Sequence, residues 1–234
     1  MKKKALIAGL ILVGCSDIKS SALNTSGIHA NITAIVHGDQ SIVEVILKAG
    51  GENSNTYVEL EEGDTLTATD GAETMSLGHT QVGVFHSYNA SFSSVAADTE
   101  FTVSLSRELE ESAPSSIATL TEDFTLISPT DDSIHSRQDP LTISWEIEDE
   151  TNEELNIKIS GSCIFDITDS VPLTDGSYTI NSSDFYATNS QAEAESCQTD
   201  VILERRRIGT LDPAFGSGLI YGGIRKTISI RLDP

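Results

Sequence analysis

Alternation of apolar and polar residues is the feature that most constrains the fold of this chain. Residues 28–36, 101–106 and 141–148 place apolar side chains at every second position. A β-strand has this period because successive side chains point to opposite faces of the sheet. The alternating runs are short and are separated by turn signals rich in glycine and aspartate, and no window shows a convincing helical stripe. The sequence therefore predicts an all-β protein whose strands have the spacing of β-sandwiches.

The first residues of the chain carry a signal for export. Residues 2–4 are all lysine, and residues 5–13 are apolar but too few to span a membrane as a helix. Gly14 is a small residue directly before Cys15. Residues 1–14 are therefore predicted to be a signal peptide.

Residues 12–15 resemble the lipobox of bacterial lipoproteins, with Leu12 three positions before Cys15 and Gly14 directly before it. This resemblance implies that Cys15 Sγ receives a diacylglyceryl group, that the chain is cut before Cys15, and that the new amine is acylated. Ser16, rather than an aspartate, follows the cysteine, which by the same resemblance implies a lipid anchor in the outer membrane, at its periplasmic face or at the cell surface. The alternative is an ordinary secretory signal with a chance cysteine.

The remainder of the chain is long enough for two ordinary domains. Residues 15–27 are small and polar and predict a flexible tether that starts at the lipidated cysteine. Period-two runs fill residues 28–128, which predict a first β-sandwich domain. Ser128-Pro129 indicates the boundary, and residues 129–234 predict a second domain.

Two segments depart from the alternation. Residues 107–121 are the only candidate for a helical turn or a long loop. Residues 214–223 are rich in glycine but lack the Gly-Lys-Ser/Thr of a phosphate loop, so they indicate a long hairpin connection.

A G-x-S-x-G nucleophile elbow is also missing from the sequence. We therefore expect neither an enzyme nor a bound cofactor.

Pro129 followed by the sequence Leu-Thr-Ile-Ser-Trp at residues 141–145 resembles the opening of fibronectin-type and other immunoglobulin-like domains. The resemblance implies that Trp145 fills the core between two sheets. The predicted fold class is therefore all-β, with two immunoglobulin-like β-sandwich domains after a lipoprotein signal peptide and a short tether.

The mature chain also resembles uncharacterised two-domain bacterial lipoproteins. The segments that carry this resemblance are residues 57–60 with Gly63-Asp64, 101–107, 124–129 and 207–215. The family implies no activity that can be carried over to this chain.

Charge excludes one class of partner. The formal net charge is −22, and once the three N-terminal lysines are removed, 11 basic residues face 36 acidic ones. Such a surface repels nucleic acid, so no nucleic acid partner is expected.

Cys163 and Cys197 are the two cysteines left beside Cys15. In an oxidising compartment they are predicted to form a disulfide bond.

No metal site is predicted, although two kinds of ligand were weighed. The five histidines are scattered and lack the HExxH spacing; they are His29, His37, His79, His86 and His135. Asp131-Asp132 and residues 148–150 could supply oxygen ligands to calcium, but neither follows the EF-hand spacing. Solvated acidic loops are the preferred interpretation.

Basic residues concentrate near the C-terminus. Six of the eight basic residues after position 128 are Arg205, Arg206, Arg207, Arg225, Lys226 and Arg231. Strand alternation directs Arg225 and Arg231 outward, and Arg205 and Arg207 join them as possible partner-binding residues. The alternative is pairing with this protein's own carboxylates, such as Glu146 and Glu148.

These features together predict a non-catalytic outer-membrane lipoprotein. It is held on the membrane by its lipid and acts as a protein-binding or envelope-assembly module with an envelope protein as partner. The alternative is a surface adhesin or a carbohydrate-binding lipoprotein. Carbohydrate platforms usually need exposed aromatic residues, and the 6% aromatic content with a single tryptophan disfavours it.

Overall fold

The computed structural model describes residues 16–61, 63–147 and 153–234. Within them the chain forms eighteen strands and five short 3₁₀ helices, which confirms the predicted all-β class. The first ten strands are β1 (Ser16–Lys19), β2 (Ile28–His37), β3 (Gln40–Ala49), β4 (Thr56–Glu59), β5 (Thr65–Thr69), β6 (Thr74–Ser76), β7 (Gly78–Val82), β8 (Phe85–Phe92), β9 (Glu100–Ser106) and β10 (Ala113–Thr119). The remaining strands are β11 (Thr125–Ser128), β12 (Ile134–Ser136), β13 (Leu141–Glu146), β14 (Glu154–Gly161), β15 (Ile164–Pro172), β16 (Ser177–Ile180), β17 (Cys197–Ile208) and β18 (Ser217–Asp233). The 3₁₀ helices are Ser20–Ala22, Thr25–Gly27, Leu173–Asp175, Ser182–Asp184 and Ala192–Ala194.

One large sheet runs through both halves of the chain. Its eleven strands follow the order β1-β4-β3-β2-β18-β17-β14-β15, with β8 and β7 added at β3 and β12 added at β18. The long strand β18 makes this continuity possible. Its first part, residues 217–224, pairs in parallel with β2, and its antiparallel pairing with β17 extends from Tyr221 to Leu232.

Two smaller sheets cover this large sheet and bury two hydrophobic clusters. The sheet β10-β9-β5-β6 covers the first cluster, where the rings of Phe92 and Phe101 meet edge to face with 5.1 Å between their centroids. The sheet β11-β13-β16 covers the second cluster, which contains Trp145. Trp145 Nε1 donates a hydrogen bond of 2.7 Å to the Leu173 carbonyl, so the buried indole has its polar atom satisfied. Each half is therefore a β-sandwich, and Trp145 lies in a core as predicted.

The predicted domain limits, 28–128 and 129–234, stay a prediction, but the hydrophobic clusters cross them in both directions. Phe124 packs in the second cluster, whereas Phe215 and Ile220 pack in the first. The N-terminal sandwich is therefore completed by a segment from the end of the chain.

The predicted flexible tether is wrong for residues 16–27. β1 pairs in parallel with β4, and the side chains of Ser20 and Thr25 are buried. Arg107, itself buried, donates hydrogen bonds to the carbonyls of Ser20 at 2.7 Å and Leu23 at 3.1 Å. A buried guanidinium needs acceptors for its five N–H groups, and this small polar segment supplies them through its backbone.

The prediction of a long hairpin connection for the glycine-rich residues 214–223 is also wrong, because most of these residues belong to β18. A Cβ atom at Gly222 would lie 2.2 Å from the Thr119 carbonyl oxygen, and one at Gly223 would lie 2.1 Å from the Arg205 carbonyl oxygen. Glycine is used here because another backbone approaches the strand closely. In the same way, residues 113–119 of the suspected helical turn or loop form β10, which pairs with β9.

Candidate partner-binding cleft

The structure confirms the predicted disulfide bond between Cys163 and Cys197, whose Cα atoms are 5.8 Å apart. Cys163 lies between β14 and β15, and Cys197 begins β17. The bond therefore closes a loop that contains β15, β16 and three 3₁₀ helices. Cys15 and residues 1–14 lie outside the described residues, so lipidation stays a prediction. No helix in the described part of the chain is long and apolar enough to cross a membrane.

Arg205 lies inside the protein, which excludes it from a docking surface. Its side chain is 0% exposed. Its Nε donates to the Glu153 carboxylate, and its Nη1 donates to the Asp123 carbonyl at 3.1 Å. Strand alternation explains its position, because Val201 and Leu203 point to the same buried face of β17. That alternation was a signal in the sequence that could have removed Arg205 from the candidates.

Arg207, near the end of β17, differs from Arg205 because its side chain is partly exposed. It forms ion pairs with two carboxylates. Its Nη1 lies 2.6 Å from Asp98 Oδ1, and its Nε lies 2.7 Å from Glu153 Oε1. Burial lowers the pKa of Arg207, but the bonds to Asp98 and Glu153 outweigh it and raise the pKa overall. The two carboxylates fix the direction of the guanidinium.

Glu204 is a buried carboxylate between two arginines. Its oxygens lie 2.6 Å from Arg206 Nε and 2.6 Å from Arg225 Nη2. Burial raises the pKa of Glu204, but the charges of Arg206 and Arg225 are stronger together and lower it. Arg206 also lies over the ring of Tyr221, 4.5 Å from its centroid. Burial, followed by the charge of Glu204, raises the pKa of Tyr221 to about 12.

The four predicted partner-binding arginines do not form one surface. Arg205 is internal, Arg207 pairs with Asp98 and Glu153, Arg225 pairs with Glu204, and Arg231 pairs with Asp233 at 2.8 Å near the end of β18. The alternative of internal pairing is confirmed, although Glu146, one of the two acids named as examples, is not among the carboxylates found. Among the described residues, the acids that pair with the six basic residues are Glu153, Glu204, Asp98, Asp123 and Asp233. Glu148 lies outside the described residues.

A cleft of about 650 Å³ lies beside this cluster, where the ends of β14, β17 and β18 meet. Its lining includes Glu153, Arg206, Arg207, Ile208, Leu219 and Tyr221. Ile208 is 68% exposed and Leu219 is 43% exposed, so two large aliphatic side chains face solvent beside paired arginines. Sequence analysis missed the cleft because its walls come from three distant segments of the chain.

Two of the residues weighed as metal ligands, His79 and His86, come together in the structure. Within the described residues, no group of three or more His, Cys, Asp or Glu side chains is arranged to hold a metal ion. His79 Nε2 and His86 Nδ1 are 3.1 Å apart, so two of the histidines that look scattered in the sequence meet in the fold. Asp131 accepts a hydrogen bond of 2.8 Å from the Ser229 backbone N–H, and residues 148–150 lie outside the described residues.

Comparison with known proteins shows no family for this chain. A scan against protein-family models found no match, and a search of curated proteins found none. Among solved structures, the chain is similar to a two-domain fibronectin type III segment of chicken tenascin, with 10% identity over 88% of this chain and 97% of that chain and a TM-score of 0.26. It is also similar to a three-immunoglobulin-domain segment of a mutated titin variant, with 10% identity over 88% of this chain and 64% of that chain and a TM-score of 0.26.

TM-scores this low carry no argument about function. The all-β sandwich class rests on the strands and sheets themselves.

Proposed function

We propose that this protein is a non-catalytic lipoprotein of the outer membrane, anchored through Cys15, which binds an envelope protein in the cleft beside β17 and β18. The lipobox supports the anchor and its location. The all-β sandwich and the composition of the cleft support a binding role rather than catalysis.

The observation that carries the binding role is the exposure of Ile208 and Leu219 in a concave site beside Arg206, Arg207 and Tyr221. Isolated exposed aliphatic residues are normal, but aliphatic residues grouped in a cleft with arginine and tyrosine have the composition of an interface core. Tyrosine and arginine are also enriched among the residues that dominate binding energies.

The same geometry indicates what part of a partner fits. The cleft arginines are already neutralised by Glu204, Glu153 and Asp98, so they do not present free positive charge. The main determinant of binding is therefore an apolar side chain of the partner, which covers Ile208 and Leu219. The guanidinium groups add hydrogen bonds at the edge of the contact, with positions fixed in advance by their internal ion pairs.

Photo-crosslinking in living cells tests this proposal. A photoreactive amino acid replaces Ile208 in the full lipidated chain, and Ile134 on β12, which is similarly exposed, is the matched control position. We expect one specific envelope protein to crosslink from position 208 and not from position 134, and Leu219→Asp to abolish the product. Equal products from both positions, or none from position 208, would contradict a binding site in the cleft.

A carbohydrate-binding function is the second candidate, and one observation favours it. Phe165 and Tyr186 are both exposed aromatic residues, and a backbone hydrogen bond of 2.9 Å from Phe165 N–H to the Tyr186 carbonyl holds them side by side. Glycan-array binding that is lost in the Phe165→Ala and Tyr186→Ala variants and kept in the Leu219→Asp variant would support this candidate over the cleft.

A further inference from the structure

The tip of the hairpin formed by β7 and β8 exposes a group of apolar side chains. Val82 is 70% exposed and Phe85 is 65% exposed, and Val84 between them is also exposed. Val82 and Phe85 are paired across the hairpin, and Gly83 at φ 62° allows the two-residue turn that joins the strands. Three large apolar residues are therefore exposed together at this hairpin tip, and grouped apolar exposure of this kind is typical of interaction sites.

The sequence of this hairpin differs in charge from the rest of the chain. Residues 74–97 contain no Asp, Glu, Lys or Arg, although the whole chain has 36 acidic residues. A strongly acidic protein is repelled by an anionic lipid surface, and the repulsion is weakest where acidic side chains are missing. The hairpin tip therefore adds no acidic side chain of its own that an anionic bilayer would repel.

The hairpin also lies beside the first described residues of the chain. His86 Nε2 is 3.1 Å from Asp17 Oδ1. Asp17 pairs in register with Tyr57 of β4, and the Tyr57 and Phe85 rings meet edge to face with 5.9 Å between their centroids. These contacts place β1 against the base of the hairpin.

Only Ser16 separates Cys15 from Asp17 in the sequence, and two residues of extended chain span at most about 7 Å. β1 begins at Ser16, directly after Cys15 in the sequence, and is held in the sheet by β4, so no long linker separates an acylated cysteine from the described sheet. Acyl chains on Cys15 would therefore leave the protein next to Phe85 and the hairpin tip.

The geometry points to a membrane contact made by the hairpin tip: Val82, Val84 and Phe85 insert into the lipid surface beside the acylated Cys15. This inference rests on the lipid anchor of the proposed function and adds a second point of attachment to it. An aromatic and two aliphatic side chains at the interface reinforce an acyl anchor and fix its orientation. The protein would then stand on the membrane in one orientation rather than swing on a tether.

Fluorescence quenching by brominated phospholipids tests the contact. The full lipidated protein is reconstituted in phosphatidylethanolamine–phosphatidylglycerol vesicles as the F85W variant, with I208W as the control at an equally exposed position. The native Trp145 is buried in the second cluster and gives a constant background. We expect quenching at least several-fold stronger in F85W than in I208W. Adding Val82→Asp to F85W should weaken the quenching.

The outcomes separate this inference from the lipid anchor. If F85W is quenched no more than I208W while the protein carries its acyl mass and remains on vesicles, the tip contact is wrong and the anchor stands. If the acyl mass is missing and the protein does not bind vesicles, the anchor and the tip contact both fail. If F85W emission shifts with protein concentration in the absence of vesicles, the tip is a self-association surface and the membrane contact is rejected.

Discussion

Arg205 is a buried cation that donates hydrogen bonds to the Glu153 carboxylate and to the Asp123 carbonyl. Replacing it with methionine keeps most of the side-chain volume but leaves the Glu153 carboxylate, which is 9% exposed, with Arg207 as its remaining ion-pair partner among the described residues. Removing one partner of a buried ion pair typically costs 3–5 kcal/mol. We expect Arg205→Met to lower the free energy of unfolding by about 3 kcal/mol in denaturant titrations. Arg231→Met, at an exposed ion pair, should change it by less than about 1 kcal/mol. Similar losses in both variants would contradict the buried role of Arg205.

Glu204 makes stability depend on pH in a direction that follows from its environment. Its pKa is lowered in the folded protein, so its contribution is complete above the unfolded value of 4.5 and is lost as the pH falls through the lower folded value. At pH 7, Glu204→Gln should lower the free energy of unfolding by about 2 kcal/mol, because two hydrogen bonds to a charged group are weakened.

Denaturant unfolding between pH 3 and pH 7 measures this effect. The difference in the free energy of unfolding between the wild type and Glu204→Gln should become smaller below about pH 4.5, because the protonated glutamic acid then resembles glutamine. The exposed substitution Glu100→Gln should stay within about 0.5 kcal/mol of the wild type at neutral pH. A gap that is constant over the whole range would show that the charge of Glu204 is not the cause.

At the level of elements, Arg107 holds the N-terminal segment against the first sandwich. Its guanidinium bonds Asp64 at 2.9 Å and Thr25 Oγ1 at 3.2 Å, in addition to the two backbone carbonyls of that segment. Arg107→Met should therefore speed amide hydrogen exchange in residues 20–27 and lower the free energy of unfolding by about 3 kcal/mol. Lys19→Met, which removes an exposed ion pair in the same segment, should leave that exchange nearly unchanged. Equal protection in both variants would mean that β1 alone holds the segment.

The disulfide bond stabilises the elements between β14 and β17. It joins residues separated by 34 positions, and closing a loop of that size contributes about 3–4 kcal/mol in the chain-entropy account. The double variant Cys163→Ala/Cys197→Ala should lose stability of that order in denaturant titrations, with the largest gain in hydrogen exchange in β15 and β16. Thiol counting on the denatured, unreduced protein provides the direct check, and two reactive thiols would reject the bond.

The sequence predicts those elements whose burial differs between their two faces. In β9 and β13 every second residue is buried, so the apolar alternation is visible in the sequence. β10 contains proline and serine and shows no such pattern; its pairing with β9 is what makes it a strand. At the start of β18 glycine hides the alternation, because the contacts of Gly222 and Gly223 are made by backbone from distant parts of the chain. The acids that pair with the arginines could not be predicted for the same reason: Glu153 precedes Arg205 by 52 residues.

At the scale of the whole molecule, β18 couples the two sandwiches. It pairs with β2 beside the first cluster and with β17 beside the second, so breaking its packing in one half disturbs a strand of the other. The Gly222→Val variant tests this coupling. The new side chain would meet the Thr119 carbonyl on β10, in the first half, where even a Cβ atom would lie only 2.2 Å away. We expect a loss of about 3 kcal/mol in the free energy of unfolding.

The readout of that variant comes from the other half of the molecule. Trp145 fluorescence reports the second cluster, and far-ultraviolet circular dichroism reports all strands. If β18 transmits the disturbance, both probes shift together to a lower denaturant midpoint, as in a cooperative transition. Gly38→Asn, at an open turn position with φ 66°, controls for loss of a glycine and should leave both midpoints unchanged. A Trp145 midpoint that stays at the wild-type value in Gly222→Val would show that the sandwiches unfold independently, since the shared strand would then carry no stability from one half to the other.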